Sequence, residues 1–159
     1  MFFDIKDEML LSGTSLAYLG DAVFELITRQ YLLSSGVTDV GKLNKMALSY
    51  VKATAQSDAV EKMLPHLSEE ETQIYKRGRN ANGISIPKSA SAPQYRRATG
   101  LEALFAHLYA QGKKERLREL FMIGFVKGTE NPVPFTKKTA HLSDLIWSFI
   151  HLLTIIFLK

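Results

Sequence analysis

The chain has 159 residues, 46% of them apolar and 23% charged, with a formal net charge of +4, a composition that supports one domain around one sizeable core. It contains no cysteine, which excludes disulfides, thiolate zinc sites and thiol nucleophiles; any metal must be held by oxygen or imidazole, which favours a hard cation such as Mg2+. The opening Met1-Phe2-Phe3-Asp4 lacks the basic and apolar regions of a secretory signal, so a cytoplasmic body is expected.

Helical periodicity runs through most of the sequence. Leu16, Leu19, Val23, Leu26 and Ile27 recur at three- and four-residue intervals before Ser34-Ser35-Gly36, which predicts a first helix with one buried face. Val40, Leu43, Met46, Ala47, Tyr50, Val51 and Thr54 repeat the pattern from Asp39, and Val60, Met63 and Leu64 extend it to Pro65; this is one long helix or two in succession. Ser68-Glu69-Glu70-Glu71 has the form of a capping box, so a helix starts there and reaches about Arg77. From Asn80 to Ala92 the apolar period is lost and Gly83 and Pro87 interrupt the chain, which reads as a loop. Pro93 suits the first turn of a helix with the stripe Leu101, Leu104, Phe105 and Leu108, closing at Gln111-Gly112. Leu117, Leu120 and Phe121 mark a shorter helix from Lys113 to about Phe125. No segment alternates as a strand does, so the fold class is all-α.

Beyond residue 126 the character changes. Residues 1–126 are expected to form the functional domain, and 127–159 an atypical tail with an apolar run at 145–158. That run, broken by Ser148, His151 and Thr154, falls short of the ~20 residues that cross a bilayer. The expectation is an added helix on the body or on another subunit, or a C-terminus altered by a change of reading frame, with a tail-anchored membrane protein as the rival.

Charge is unevenly spread. Lys76, Arg77, Arg79, Lys88, Arg96 and Arg97 lie in one segment with no Asp or Glu among them, leaving the rest of the chain slightly acidic. Such a segment is either an anion-binding footprint or a solvated basic face. Two acids stand out by helical position, at about 100° per residue. Asp21 is nearly opposite its helix's apolar stripe, whereas Glu102 is at the edge of its own and is expected to be partly buried, which calls for a hydrogen-bond partner, a cation or a raised pKa. The four histidines, His66, His107, His141 and His151, have no HxxxH or HExxH spacing, and no glycine-rich nucleotide loop is present.

Leu16-Ala17-Tyr18-Leu19-Gly20-Asp21-Ala22-Val23-Phe24-Glu25 resembles the signature helix of the ribonuclease III family, and Thr99-Gly100-Leu101-Glu102-Ala103-Leu104 is similar to its second acidic motif. Lys76-Arg77-Gly78-Arg79-Asn80-Ala81, Pro87-Lys88 and Tyr95-Arg96-Arg97-Ala98-Thr99 resemble the connecting stretch of the Mini-ribonuclease III branch, which has the catalytic domain without a double-stranded-RNA-binding domain. The resemblance covers roughly residues 10–123. It implies a ribonuclease III-type helical endonuclease domain, Asp21 and Glu102 as Mg2+ ligands, and Glu25 as a supporting acid or an ordinary surface one. It also implies duplex RNA as substrate, large-subunit (23S) ribosomal RNA precursor in particular, with a homodimer and an assisting ribosomal protein as partners. Tyr18 and Phe24 are candidates for an interface or for the core. RNA contacts fall to Lys76, Arg77, Arg79, Asn80 and Lys88; Arg96 and Arg97 either assist or pair with the acids of the 68–71 turn. Two positions depart from the larger enzymes, Ala17 and Thr99 standing where those carry acids. That departure motivates the alternative of a non-catalytic double-stranded-RNA-binding module on the same fold.

Overall fold

A computed structural model describes residues 11–82 and 90–126, all of them helix or short connection. The helices are α1 (Gly13–Ser34), α2 (Val40–Val51), α3 (Ala53–Met63), α4 (Glu69–Arg79), α5 (Ala92–Ala110) and α6 (Lys114–Phe125), with a 3-10 turn at Leu64–His66 between α3 and α4. The tail from 127, with its apolar run at 145–158, lies outside the described residues, as do residues 1–10 and Lys88.

Local chemistry sets the helix starts. Ser12 Oγ accepts from Ser15 N at 3.0 Å and Asp39 Oδ1 from Lys42 N at 2.7 Å, capping α1 and α2. The Ser68 and Glu71 box opens α4 as its sequence predicts. A second box, Ser91 with Gln94, opens α5 and places Pro93 in the first turn. Residues 40–63 form two helices because Lys52 is extended, with φ −68° and ψ 139°, which interrupts the hydrogen-bond ladder between α2 and α3.

Helix α5 is the axis. Its residues from Ala98 to Leu108 are buried except Glu102, the condition of a helix surrounded by others, and α1, α3, α4 and α6 all pack on it. Phe24 of α1 meets Phe105 edge-on at 5.6 Å between ring centroids, and Phe121 of α6 completes the cluster. At the other side, Arg116 of α6 grips the buried Glu71 with Nε to Oε1 at 2.8 Å and Nη2 to Oε2 at 2.9 Å. Hydrogen bonding to Arg116 holds the Glu71 carboxyl below its usual range despite burial.

Two expected faces are corrected. The buried face of α1 comprises Gly13, Leu16, Ala17, Gly20, Val23, Phe24, Thr28 and Leu32, so Leu26 is exposed and Phe24 is core, while Tyr18 is 86% exposed. The stripe is rotated because small residues, which carry little hydrophobic signal, make the closest contacts. No residue of α2 is fully buried, and Val40, Met46 and Leu48 are exposed; within one chain this amphipathic helix covers only part of its apolar face.

The closest of those contacts is Gly20. A Cβ built there would stand 1.8 Å from the Glu102 carbonyl oxygen and 2.8 Å from Glu102 Cα, so α1 and α5 cross backbone against backbone. Likewise, a Cβ on Gly78 of α4 would meet Thr99 O at 2.8 Å and Gly100 Cα at 3.0 Å. Since the opposing atoms are main chain, neither crossing can yield by rotating a side chain. Gly20→Ala is therefore expected to destabilise at or beyond the upper end of the ~1–3 kcal/mol range for overpacking, read as a lower urea midpoint; an unchanged midpoint would show that the crossing can open.

Candidate active site

The Gly20 crossing decides what the neighbouring side chains meet. Asp21 follows Gly20 on α1 and is exposed, and Glu102, the residue whose backbone Gly20 touches, projects from α5 half-buried. The two carboxyls are close enough for Asp21 to act on Glu102. Burial first, and the Asp21 charge second, push the Glu102 pKa up to about 8, with an opposing influence from the Gln56 side chain of α3. An acid in that state is largely neutral at pH 7 and becomes an anion only when something offsets desolvation and repulsion. No cluster of three or more His, Cys, Asp or Glu able to hold a metal occurs among the described residues; the acid pair supplies two carboxyls. Its donors are carboxylate oxygens, the hard ligands that Mg2+ takes.

Ala17, four residues before Asp21, and Thr99, three before Glu102, contribute no charge, and Thr99 faces Gly78 of α4. Ala17 is buried, and Thr99 Oγ1 donates to the Tyr95 carbonyl at 3.0 Å. Glu25 is exposed and bound to Arg29 at 2.6 Å, the ordinary i, i+4 surface pair, so the structure gives it a partner other than the acid pair. Gln56 was not legible as a site residue: a lone glutamine on a helix usually reads as surface. The available signal is its phase, since Gln56, Val60 and Met63 share one face and all three are buried.

The basic segment folds into two flanking elements. Lys76, Arg77 and Arg79 occupy the last turn of α4, where cations suit the helix dipole, and Arg96 and Arg97 lie near the start of α5. Arg79 stacks over Tyr75 at 5.8 Å and donates to Asn80 Oδ1 at 3.1 Å. Arg96 donates to the carbonyls of Arg79 at 3.4 Å and Ala81 at 3.3 Å, tying the two helix ends together with its charge uncompensated by those acceptors. Arg97 donates to Ser57 Oγ at 3.1 Å and to Glu61 Oε1 at 3.0 Å. The acids it meets are therefore not those of the 68–71 turn. Arg79, Asn80, Ala92, Pro93, Arg96 and Arg97 line one open cleft.

These elements lie within a ribonuclease III domain: the Ribonuclease III domain family matches residues 14–113. Mini-ribonuclease 3 of Symbiobacterium thermophilum is 43% identical over 116 residues, covering 73% of this chain and 89% of that protein. Mini-ribonuclease 3 of Enterococcus faecalis is 45% identical over 118 residues, with coverage of 73% and 89%. A Fusobacterium nucleatum protein solved by X-ray crystallography superimposes with a TM-score of 0.67 at 36% identity, covering 74% of this chain and 94% of that one. The chain belongs to the Mini-ribonuclease III branch of the ribonuclease III family and is an endoribonuclease.

The Glu102 pKa has a consequence in metal-free protein. A carboxyl whose folded pKa is raised favours folding fully below its unfolded value, near ~4.3, and this contribution is lost as pH rises through about 8. The Tm of Glu102→Gln relative to wild type, measured in chelator, is therefore expected to rise steadily between those pH values. A pH-independent difference would contradict the buried, neutral Glu102.

Proposed function

We propose that this endoribonuclease is Mg2+-dependent and cuts double-stranded RNA, with Asp21 and Glu102 as the metal ligands. The observation that carries the reading is the meeting of the two acids at the Gly20 crossing, where Glu102 is driven toward its neutral form. A hard divalent cation is the partner such a pair calls for, because it offsets desolvation and mutual repulsion together. Bound there, Mg2+ would supply Lewis-acid polarisation of the scissile phosphate and acidify the attacking water. Glu102 contributes a carboxyl fixed by the crossing itself, and Asp21 a carboxyl open to solvent and hence to substrate.

Duplex RNA presents phosphates and 2′-hydroxyls across a shallow minor groove, so recognition rests on charge and shape. Lys76, Arg77, Arg79 and Asn80 at the end of α4, with Arg96 across the cleft, are the contacts this reading assigns, and Lys88 belongs to the same basic segment. Arg97, paired with Glu61, contributes less net charge. A symmetric homodimer is supported by the apolar side chains left exposed on α1 and α2, Tyr18, Leu26, Val40 and Leu48 among them, since patches of this kind mark interfaces. The role in maturing large-subunit ribosomal RNA precursor and the assisting ribosomal protein follow from the family resemblance, and a cytoplasmic setting goes with that role. No helix among the described residues is long and apolar enough to cross a membrane.

Two measurements test the reading. Asp21→Asn is expected to reduce cleavage of a long RNA duplex in Mg2+ to background while duplex binding persists; undiminished cleavage would refute the assignment. Lys76→Gln and Arg79→Gln are each expected to weaken duplex binding across sequences and to lower the slope of log affinity against log salt by about 1. An unchanged slope would remove that residue from the RNA interface.

A further inference from the structure

The basic cleft contains a contact that the proposed chemistry does not use. Three guanidiniums line it, those of Arg79, Arg96 and Arg97. Arg79 and Arg96 meet uncharged partners: the Tyr75 ring and the Asn80 amide oxygen for the first, two main-chain carbonyls for the second. Arg97 differs. Its Nη1 donates to Glu61 Oε1 of α3 at 3.0 Å, so this charge is met by a carboxylate of the same chain. The Glu61 side chain is 62% exposed, and an ion pair at that exposure adds little to the fold. The same Nη1 also donates to Ser57 Oγ at 3.1 Å, and Ser57 is fully buried. Arg97 thus has a buried neutral anchor and an exposed charged one, and the first stays in place when Glu61 turns away. What Glu61 supplies is an anionic acceptor, of the same hydrogen-bonding kind as a phosphate oxygen.

We propose that Glu61 is a built-in competitor of RNA at Arg97: its carboxylate masks one of the three guanidiniums of the cleft, and a phosphate must displace it to be bound there. The inference rests on the reading of the cleft as an RNA surface. Affinity of this kind is carried by the phosphates neutralised and the counterions they release, so a cation withheld lowers the grip on any nucleic acid, cut or uncut. Such changes act mainly on dissociation. Glu61 keeps the cleft weaker than its content of arginine implies, which favours release of the cut duplex. Its effect passes through Arg97, and this separates it from a carboxylate that merely adds negative charge to the surface.

The test uses the full chain in chelator, which withholds Mg2+, and the fluorescence anisotropy of a labelled RNA duplex over a range of salt. Glu61→Gln keeps size and removes the charge; Glu61→Ala removes the partner altogether. Both are expected to bind the duplex about fivefold more tightly, the upper end of what one exposed ion pair is worth. Log affinity is expected to fall more steeply against log salt by about 1, the mark of one added phosphate contact. In an Arg97→Gln background the same substitutions are expected to leave the slope unchanged and to lose most of the gain. Unchanged affinity and slope in both variants would overturn the inference, and so would a gain of equal size in the Arg97→Gln background, the sign of general surface charge. A lower Tm in both variants with no gain in affinity assigns the pair to the fold and overturns it as well. Failure of the underlying reading is distinguishable: there, Lys76→Gln and Arg79→Gln themselves leave duplex affinity unchanged, and the inference falls with it.

Discussion

Everything in this domain depends on one backbone contact, the crossing of α1 over α5 at Gly20. The helices approach so closely that the Glu102 carbonyl occupies the space of a side chain, and the distance between Asp21 and Glu102 is consequently set by main-chain packing. Side chains mounted on helices in this way are held without relying on loops. The cost is electrostatic: a carboxyl drawn into the crossing loses hydration and gains an acidic neighbour, and its pKa rises to about 8. The geometry that brings the two acids together thus disfavours the ionised form of Glu102.

The rest of the fold fixes that crossing from outside. Phe24, Phe105 and Phe121 brace α1, α5 and α6 from within, each aromatic pair adding roughly 0.5–1.5 kcal/mol beyond area burial. Gly78 against Gly100 seats α4 on α5 just ahead of Glu102. Arg116 reaches from α6 to both Glu71 oxygens and to the His66 carbonyl, so the capping box that begins α4 is also its tether to α6. With Glu71 almost fully buried, the ion pair is one whose two halves need each other: removing either leaves a costly remainder.

Much of this was legible in the sequence where a single local rule governs. The α4 capping box, Pro93 in the first turn of α5 and the stripe Leu101, Leu104, Phe105 and Leu108 all appear as expected, because cap chemistry and apolar phase act over one or two turns. The exposure of Asp21 and partial burial of Glu102 follow from the same helical arithmetic, but their meeting does not; it came from the family motif. Other features depend on contacts far apart in sequence. The buried face of α1 is turned toward Gly13, Ala17 and Gly20, whose value lies in what they omit, so hydrophobicity placed Leu26 inside and it is outside. The α2 stripe predicts burial that a single chain does not supply. Helical position leaves Arg97 open between RNA contact and the acids at 68–71, and the packing brings Ser57 and Glu61 of α3 to it. Gln56 carries no motif and becomes visible only as an unpaired donor in a filled core.

One consequence of α3 concerns how the acid pair and the basic cleft are spaced. Gln56 and Ser57 are consecutive residues, about 100° apart around the helix, and one faces Glu102 while the other binds Arg97. A residue that acts on the acid pair and a residue that binds the wall of the basic cleft therefore sit on a single turn. In a protein with so few parts, this turn acts as a caliper. The span between a cluster of positive charge and a pair of acids is thereby set by the pitch of one helix rather than by a loop.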